Sequence, residues 1–424
     1  MTSARSAVRE QPANEAQAPQ APQTPKWVTR ESPAYRRISV ALFLAGFATF
    51  SLLYCVQPLL PAFASEFNIG AAQSSLALSV STGALALAII CAVGVSERAG
   101  RKGLMFASMA LASLCNLLVA VAPGWHSMLV IRCLEGFTLG GVPAVAMAYL
   151  AEEIHPKGLG LSMGLYVGGT AFGGMIGRVG MSFLSDYFSW RTAMITIAVI
   201  DLCVAIAFVC LLPVSRNFVP RTGVSVAQHV KLWARHLADP RLPAVFAVGG
   251  LVMGVFVTIY NYAGFRLLAP PFSLDASQAG LIFSAYLFGI VASSCAGALA
   301  DRLGRGPVLI GGIVITAIGV ALTMEAHLFA VIAGISVITI GFFVTHSVAS
   351  GWVGHLASGA KGHASSLYLL SYYLGSSILG SVGGAFWQGG GWGAVAGFTC
   401  ALLALCLAAG IYLARQHVRA PARA

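Results

Sequence analysis

Long apolar runs separated by short polar gaps cover most of the 424-residue chain. A helix needs about 20 mostly apolar residues to cross a bilayer. Runs of that kind recur twelve times, over 38–63, 74–95, 103–122, 127–150, 161–184, 191–213, 242–265, 277–300, 307–325, 328–350, 364–388 and 392–414. Pro58, Pro61 and Pro143 fall inside runs, which membrane helices tolerate where neighbours satisfy the freed backbone groups. The pattern predicts an all-α polytopic membrane protein with six-helix bundles at 38–213 and 242–414. The longest gap, 214–241, reads as a linker, and 415–424 as a short tail. Residues 1–37, rich in Ala, Pro, Gln and Glu, read as a disordered tail. The first run lacks the short apolar core and small-residue cleavage site of a signal peptide, so it is expected to remain as the first span.

One charged string interrupts this pattern twice. It reads Glu97-Arg98-Ala99-Gly100-Arg101-Lys102, and then, 204 residues after Glu97, Asp301-Arg302-Leu303-Gly304-Arg305. An acid, basic residues and a turn-making Gly at matched places in two apolar halves point to a duplicated membrane unit, and parallel repeats of this sort are a transporter architecture.

Composition agrees with lipid as the solvent. The chain is 58% hydrophobic and 9% charged, with a mean hydropathy of +0.82, against roughly 45–50% apolar for a soluble domain. The net charge of +11 comes without a basic stripe or stacking platform, so no nucleic-acid partner is expected. It sets orientation instead. Of 25 Lys and Arg, Arg132 and Arg178 lie within runs and Arg191 and Arg266 in gaps of one side, which leaves 21 on the other. That imbalance predicts both termini in the cytoplasm. The linker holds Arg216, Arg221, Lys231, Arg235 and Arg241, and Val226 to Leu237 can form a basic amphipathic helix on the inner leaflet, or else a solvated connection. Nine cysteines, Cys55, Cys91, Cys115, Cys133, Cys203, Cys210, Cys295, Cys400 and Cys406, sit in apolar runs without a CxxC; no metal site or disulfide framework is expected.

Ionisable residues within spans default to functional candidates. Arg132 and Glu135, at i and i+3, can neutralise each other, either as a permanent structural pair or as a pair that exchanges with a proton or substrate. Asp201 lies alone in span six, and Arg178 in span five. His346 reads as a packing residue. Gly169, Gly173 and Gly177 give span five a smooth face for close helix approach. The 204 offset relates Gln57 to Asn261, late in spans one and seven. With Tyr54, Tyr260, Tyr262, Tyr372 and Tyr373 they can line a mostly apolar cavity with few polar groups. No phosphate loop is present, since Gly354 to Gly359 is followed by Ala360-Lys361. Ser358 to Lys361 matches Ser-x-x-Lys without companion motifs. Neither a pump nor an enzyme is therefore expected, and no cofactor; the internal repeat argues against a channel or receptor.

The motifs resemble those of the major facilitator superfamily, and within it the bacterial YnfM-like inner-membrane efflux group. Gly297-Ala-Leu-Ala-Asp301-Arg302-Leu-Gly304-Arg305 is close to the family's loop signature after span eight. The first copy departs from it, with Glu97 for Asp and Val93 for Gly. Arg132-Cys-Leu-Glu135-Gly136, Tyr54-Cys-Val-Gln57-Pro58-Leu-Leu-Pro61 and Tyr149-Leu-Ala-Glu152-Glu153 are similar to further signatures of the group. The resemblance implies alternating access by two six-helix repeats. It also implies that Glu97, oriented by Arg98 and Arg101, docks on the start of span eleven near Ala364-Ser365-Ser366 as a cytoplasmic gate; the simpler alternative is a positive-inside hairpin. The span-five glycines resemble an antiporter signature, with Gly174 in place of Pro and Arg178 in place of Gly. The expected protein is thus a monomeric secondary transporter of the bacterial inner membrane. It exports small, partly apolar molecules with protons as coupling ion. Uptake or facilitated diffusion of a small metabolite or sugar is the alternative.

Overall fold

The computed structural model describes residues 27–218 and 226–419, the side chains of 93–99 and 417–419 aside. The first 26 residues of the tail expected over 1–37 therefore lie outside the described residues, as do the side chains of Glu97 and Arg98. Eleven helical segments are long and apolar enough to cross a membrane: Pro33–Glu66, Ala71–Ala92, Arg101–Ala120, Trp125–Glu153, Pro156–Tyr187, Trp190–Leu211, Arg241–Leu268, Ala276–Leu303, Arg305–Leu322, Leu328–Leu356 and Lys361–Gln416. The last has 56 residues. Straight, it would measure about 84 Å, nearly three times the hydrocarbon core. Its backbone leaves helical geometry at Gly390 and Gly391, the latter at φ 61°. It is two spans, 361–389 and 392–416, which gives twelve spans among the described residues.

Span one starts earlier than its apolar run. Ser32 caps it by accepting from the Ala34 amide at 3.2 Å, and Pro33 holds the first helical position, where a missing N–H costs nothing. The tail expected to reach residue 37 is therefore ordered before that. Val28 already donates to the Glu153 carbonyl at 2.8 Å and accepts from the His155 amide at 3.0 Å. Within the linker, Val226–Leu237 forms the expected helix. The two loop copies have the same backbone. Gly100 (φ 79°, ψ 155°) and Gly304 (φ 88°, ψ 153°) each end one helix and start the next in a conformation that side chains disfavour.

Span one is broken on purpose. Its helix runs to Tyr54, a 3-10 turn spans Gln57–Leu59, and helix resumes at Leu60. Pro58 and Pro61 remove the amides that would have continued the ladder. Each half packs through small residues. A side chain on Gly169 would meet the Phe43 carbonyl oxygen at 2.3 Å, and one on Gly173 the Phe47 oxygen at 2.1 Å, so span five lies directly on span one. In the second half span eleven lies on span seven in the same way, with Gly375 against the Gly250 carbonyl oxygen at 2.0 Å.

The halves meet through spans one and seven, two and eleven, and five and eight. Ser377 donates to the Ser79 carbonyl at 2.7 Å, and the hydroxyls of Ser381 and Ser79 lie 2.7 Å apart. Ser75 and Ser381 approach to 3.5 Å. Every one of these contacts lies in the part of its span remote from the chain termini.

Candidate substrate and coupling sites

Two groups of buried polar side chains occupy the interior, one on the seam between the halves and one inside the first half. The seam group begins at the break in span one. Gln57 Nε2 donates to Asn261 Oδ1 at 2.7 Å, so the two carboxamides related by the repeat touch across the pseudo-two-fold axis. Gln57 Oε1 accepts from Arg178 Nε at 2.6 Å, and Arg178 Nη1 donates to the Gly174 carbonyl at 2.7 Å. The guanidinium lies 4.2 Å from the ring centroid of Tyr54, 4.9 Å from that of Tyr286 and 5.3 Å from that of Phe283. Arg178 is 1% exposed. Tyr54, Gln57 and Asn261, all expected to line a cavity, are thus in one cluster. Tyr260 stands one ring away, stacked on Phe283 at 5.2 Å with its hydroxyl bonded to Thr339 at 2.8 Å. Tyr372 and Tyr373 adjoin the cluster from span eleven, within electrostatic reach of Tyr54. Tyr262 donates to the Gly380 carbonyl of its own half at 2.9 Å and also meets Ser75 of the first half.

The sequence marks Arg178 as one of the ionisable residues within spans and as a departure from the antiporter signature, without a specific role. The signal was present. Arg132 has an acid at i+3, whereas positions three and four residues from Arg178 hold Gly174, Met175, Met181 and Ser182. Phe283, Tyr286 and Ser376 had no distinguishing pattern and could not be found that way.

The second group is centred on Arg132. Its Nε donates to the Ala77 carbonyl at 2.9 Å, Nη2 to Leu53 at 2.8 Å, and Nη1 to Leu52 at 3.3 Å and to Glu135 Oε2 at 2.7 Å. Leu52 and Leu53 lie where the span-one helix ends, so their carbonyls lack helical partners. Arg132 supplies them. Glu135 Oε1 has no hydrogen-bond partner among the described residues, and Asp201 has the Ser51 hydroxyl beside it. Asp201 belongs to span six, yet it is fully buried and in electrostatic range of Glu135.

At the terminal side, Arg101 makes a bidentate pair with Glu152, at 2.6 and 3.2 Å, and lies 5.1 Å from the Phe218 ring. Glu153 Oε1 accepts from the amides of Arg216 and Asn217 at 2.7 and 2.9 Å, which anchors the start of the linker to the first half. The start of span eleven, expected to receive Glu97, carries the linker helix. His229 Nδ1 is 2.8 Å from His363 Nε2, and Trp233 donates to Ser366 at 3.1 Å. The aliphatic stripe Val226, Val230 and Leu237 of the same helix is exposed. In the second loop copy Asp301 and Arg302 are exposed, and Arg305 reaches His355 at 2.8 Å. His346 pairs with the Tyr368 hydroxyl at 2.9 Å, a packing contact. No cluster of three or more His, Cys, Asp or Glu placed to hold a metal occurs among the described residues.

The profile of the Major Facilitator Superfamily matches residues 42–272 and 251–424. The chain belongs to that superfamily. Among its superfamily relatives is the Inner membrane transport protein YnfM of Escherichia coli (strain K12), 42% identical over 92% of this chain and 94% of the relative. The Uncharacterized MFS-type transporter YybF of Bacillus subtilis (strain 168) is also 42% identical, over 92% of this chain and 96% of its own. Among solved structures, a bacterial homolog of the human lysosomal transporter Spinster, in an inward-facing and occupied conformation, superposes with a TM-score of 0.76 at 14% identity. It covers 92% of this chain and 100% of its own. The protein is a multi-pass membrane transporter of this superfamily and not an enzyme.

Proposed function

We propose that the protein exports small, partly apolar molecules from the cytoplasm in exchange for protons, by alternating access about the Gln57–Asn261 contact. The serine contacts between spans two and eleven close the side remote from the termini. With the termini cytoplasmic, as the basic residues favour, the conformation is inward-facing. The observation that carries proton coupling is the pair of buried carboxyl groups Glu135 and Asp201: Glu135 Oε2 is held by Arg132 while its Oε1 has no hydrogen-bond partner among the described residues, and none of the ion pairs among those residues includes Asp201. A proton is the smallest ligand that satisfies such an oxygen, and its arrival at Glu135 releases part of the hold on Arg132. Because Arg132 binds the broken end of span one, a change there reaches Gln57 within one turn of backbone.

The test is flux in proteoliposomes under an imposed pH gradient, with a panel of solutes and a pH dye inside. Wild-type protein is expected to move protons only when a transported solute is present. Glu135→Gln should abolish uphill movement while leaving solute exchange without a gradient intact. Asp201→Asn is the companion variant. Solute movement with no accompanying proton flux would replace export by the uptake or facilitated-diffusion reading.

A further inference from the structure

We propose that the enclosure around Arg178 binds an organic anion, a carboxylate carried on a flat apolar body, and that this anion is the transported solute; the second clause rests on the transport reading above. Three observations lead to this chemistry. The first is charge. Arg178 is buried, and none of the ion pairs found among the described residues includes it. Arg132, the other Arg within a span, is answered by Glu135. A buried cation without a counter-charge is costly, and carbonyl or carboxamide oxygens answer it only in part. An anion from outside the chain completes it.

The second observation is the set of open hydrogen-bonding groups. Asn261 Nδ2 is buried without a hydrogen-bond partner among the described residues, and the buried Tyr54 and Ser376 hydroxyls have at most each other. They come from spans one, seven and eleven: Tyr54 lies against the guanidinium, Ser376 beside Tyr54, and Asn261 on Gln57, which holds the guanidinium. All three can donate. A guanidinium whose Nε and Nη1 hold Gln57 and Gly174, with neutral donors around it, suits a charged acceptor-only group, and a carboxylate is such a group.

The third is the wall. Tyr54, Tyr286 and Phe283 flank the guanidinium, and Tyr260 stacks on Phe283. Phe256 and Phe342 continue the surface, stacked at 3.8 Å, toward Phe343 and His346, which are half-buried on the terminal side. Flat rings beside the guanidinium favour a flat solute over a branched aliphatic one.

The experiment is equilibrium binding to the full chain in nanodiscs with 2-naphthoate as probe. 2-Naphthamide keeps the ring and drops the charge; hexanoate keeps the charge and drops the ring. The expected result is binding of 2-naphthoate about tenfold or more tighter than either comparison, since both charge-assisted bonds and ring contacts are engaged. Arg178→Gln should remove that preference, and Arg178→Lys should restore part of it. Ser376→Ala tests the same site with little risk to folding, and a several-fold loss for 2-naphthoate alone is expected. Equal affinity for naphthoate and naphthamide, or unchanged naphthoate binding in both Arg178→Gln and Ser376→Ala, would overturn the assignment. Transport is read separately in proteoliposomes. Uphill movement of other solutes without naphthoate binding sinks the anion site and spares the transport reading. Naphthoate binding without movement of any solute keeps the anion site and sinks the transport reading.

Discussion

Arg132 and Arg178 are both buried guanidiniums in the first half, and they behave as opposites. Arg132 is occupied on every side by three carbonyls and Glu135. Arg132→Ala leaves Glu135 and the span-one carbonyls unanswered, so a loss of about 3–5 kcal/mol is expected. Glu135→Gln keeps an acceptor for Arg132 and should cost about 1–2 kcal/mol. Thermal melts of the two purified variants check the difference, and equal melting temperatures would contradict the assignment. The Arg132–Glu135 contact was legible because a three-residue spacing on a helix brings side chains together whatever the rest of the fold does. The partners of Arg178 were not legible. They come from spans one and eight, and no local rule connects residue 178 to residues 54, 57, 283 and 286.

At the scale of elements, the same division recurs. Twelve spans were legible because lipid imposes a length and a polarity on each. Ends were less so, since caps such as Ser32 and Pro33 lie outside the apolar run. The helix Val226–Leu237 was readable from its amphipathic pattern, but a pattern shows a face and not what covers it. His229 and Trp233 turn out to meet span eleven. Glycines are a sharper case. Gly164, Gly168 and Gly173 look alike in the sequence of span five, yet a side chain on Gly164 or Gly168 meets nothing within 4 Å, and one on Gly173 strikes the Phe47 carbonyl. Gly173→Ala should therefore lower the yield of folded protein and its melting temperature. Gly164→Ala should be neutral or slightly stabilising, by up to about 1 kcal/mol, through helix propensity. Size-exclusion profiles and melts of the two variants give the comparison, and equal tolerance would mean that spans one and five are farther apart than described.

For the whole molecule, the repeat was visible as one charged string, and the matched backbone at Gly100 and Gly304 is its structural counterpart. Which side of the seam is closed was not visible. That is a balance of a few kcal/mol between two packings of the same halves, and no single residue encodes it. Ser79 and Ser381, whose hydroxyls lie 2.7 Å apart, report on it directly. In a cysteine-depleted background, Ser79→Cys with Ser381→Cys should cross-link under oxidation, stop transport and recover on reduction. Continued transport with the cross-link in place would show that this side need not open.

The contact between Gln57 and Asn261 also speaks to ancestry. A carboxamide both gives and accepts a hydrogen bond, so it is one of the few side chains able to meet its own copy across a two-fold axis. A half-length ancestor that paired with a second copy of itself would have carried one such residue at the axis and closed like with like. After fusion the two copies were free to diverge. They now differ by a methylene, and only the longer one also reaches Arg178. A symmetric joint has thereby become a lopsided one, with the cation supplied by the first half and the second contributing the neutral mate.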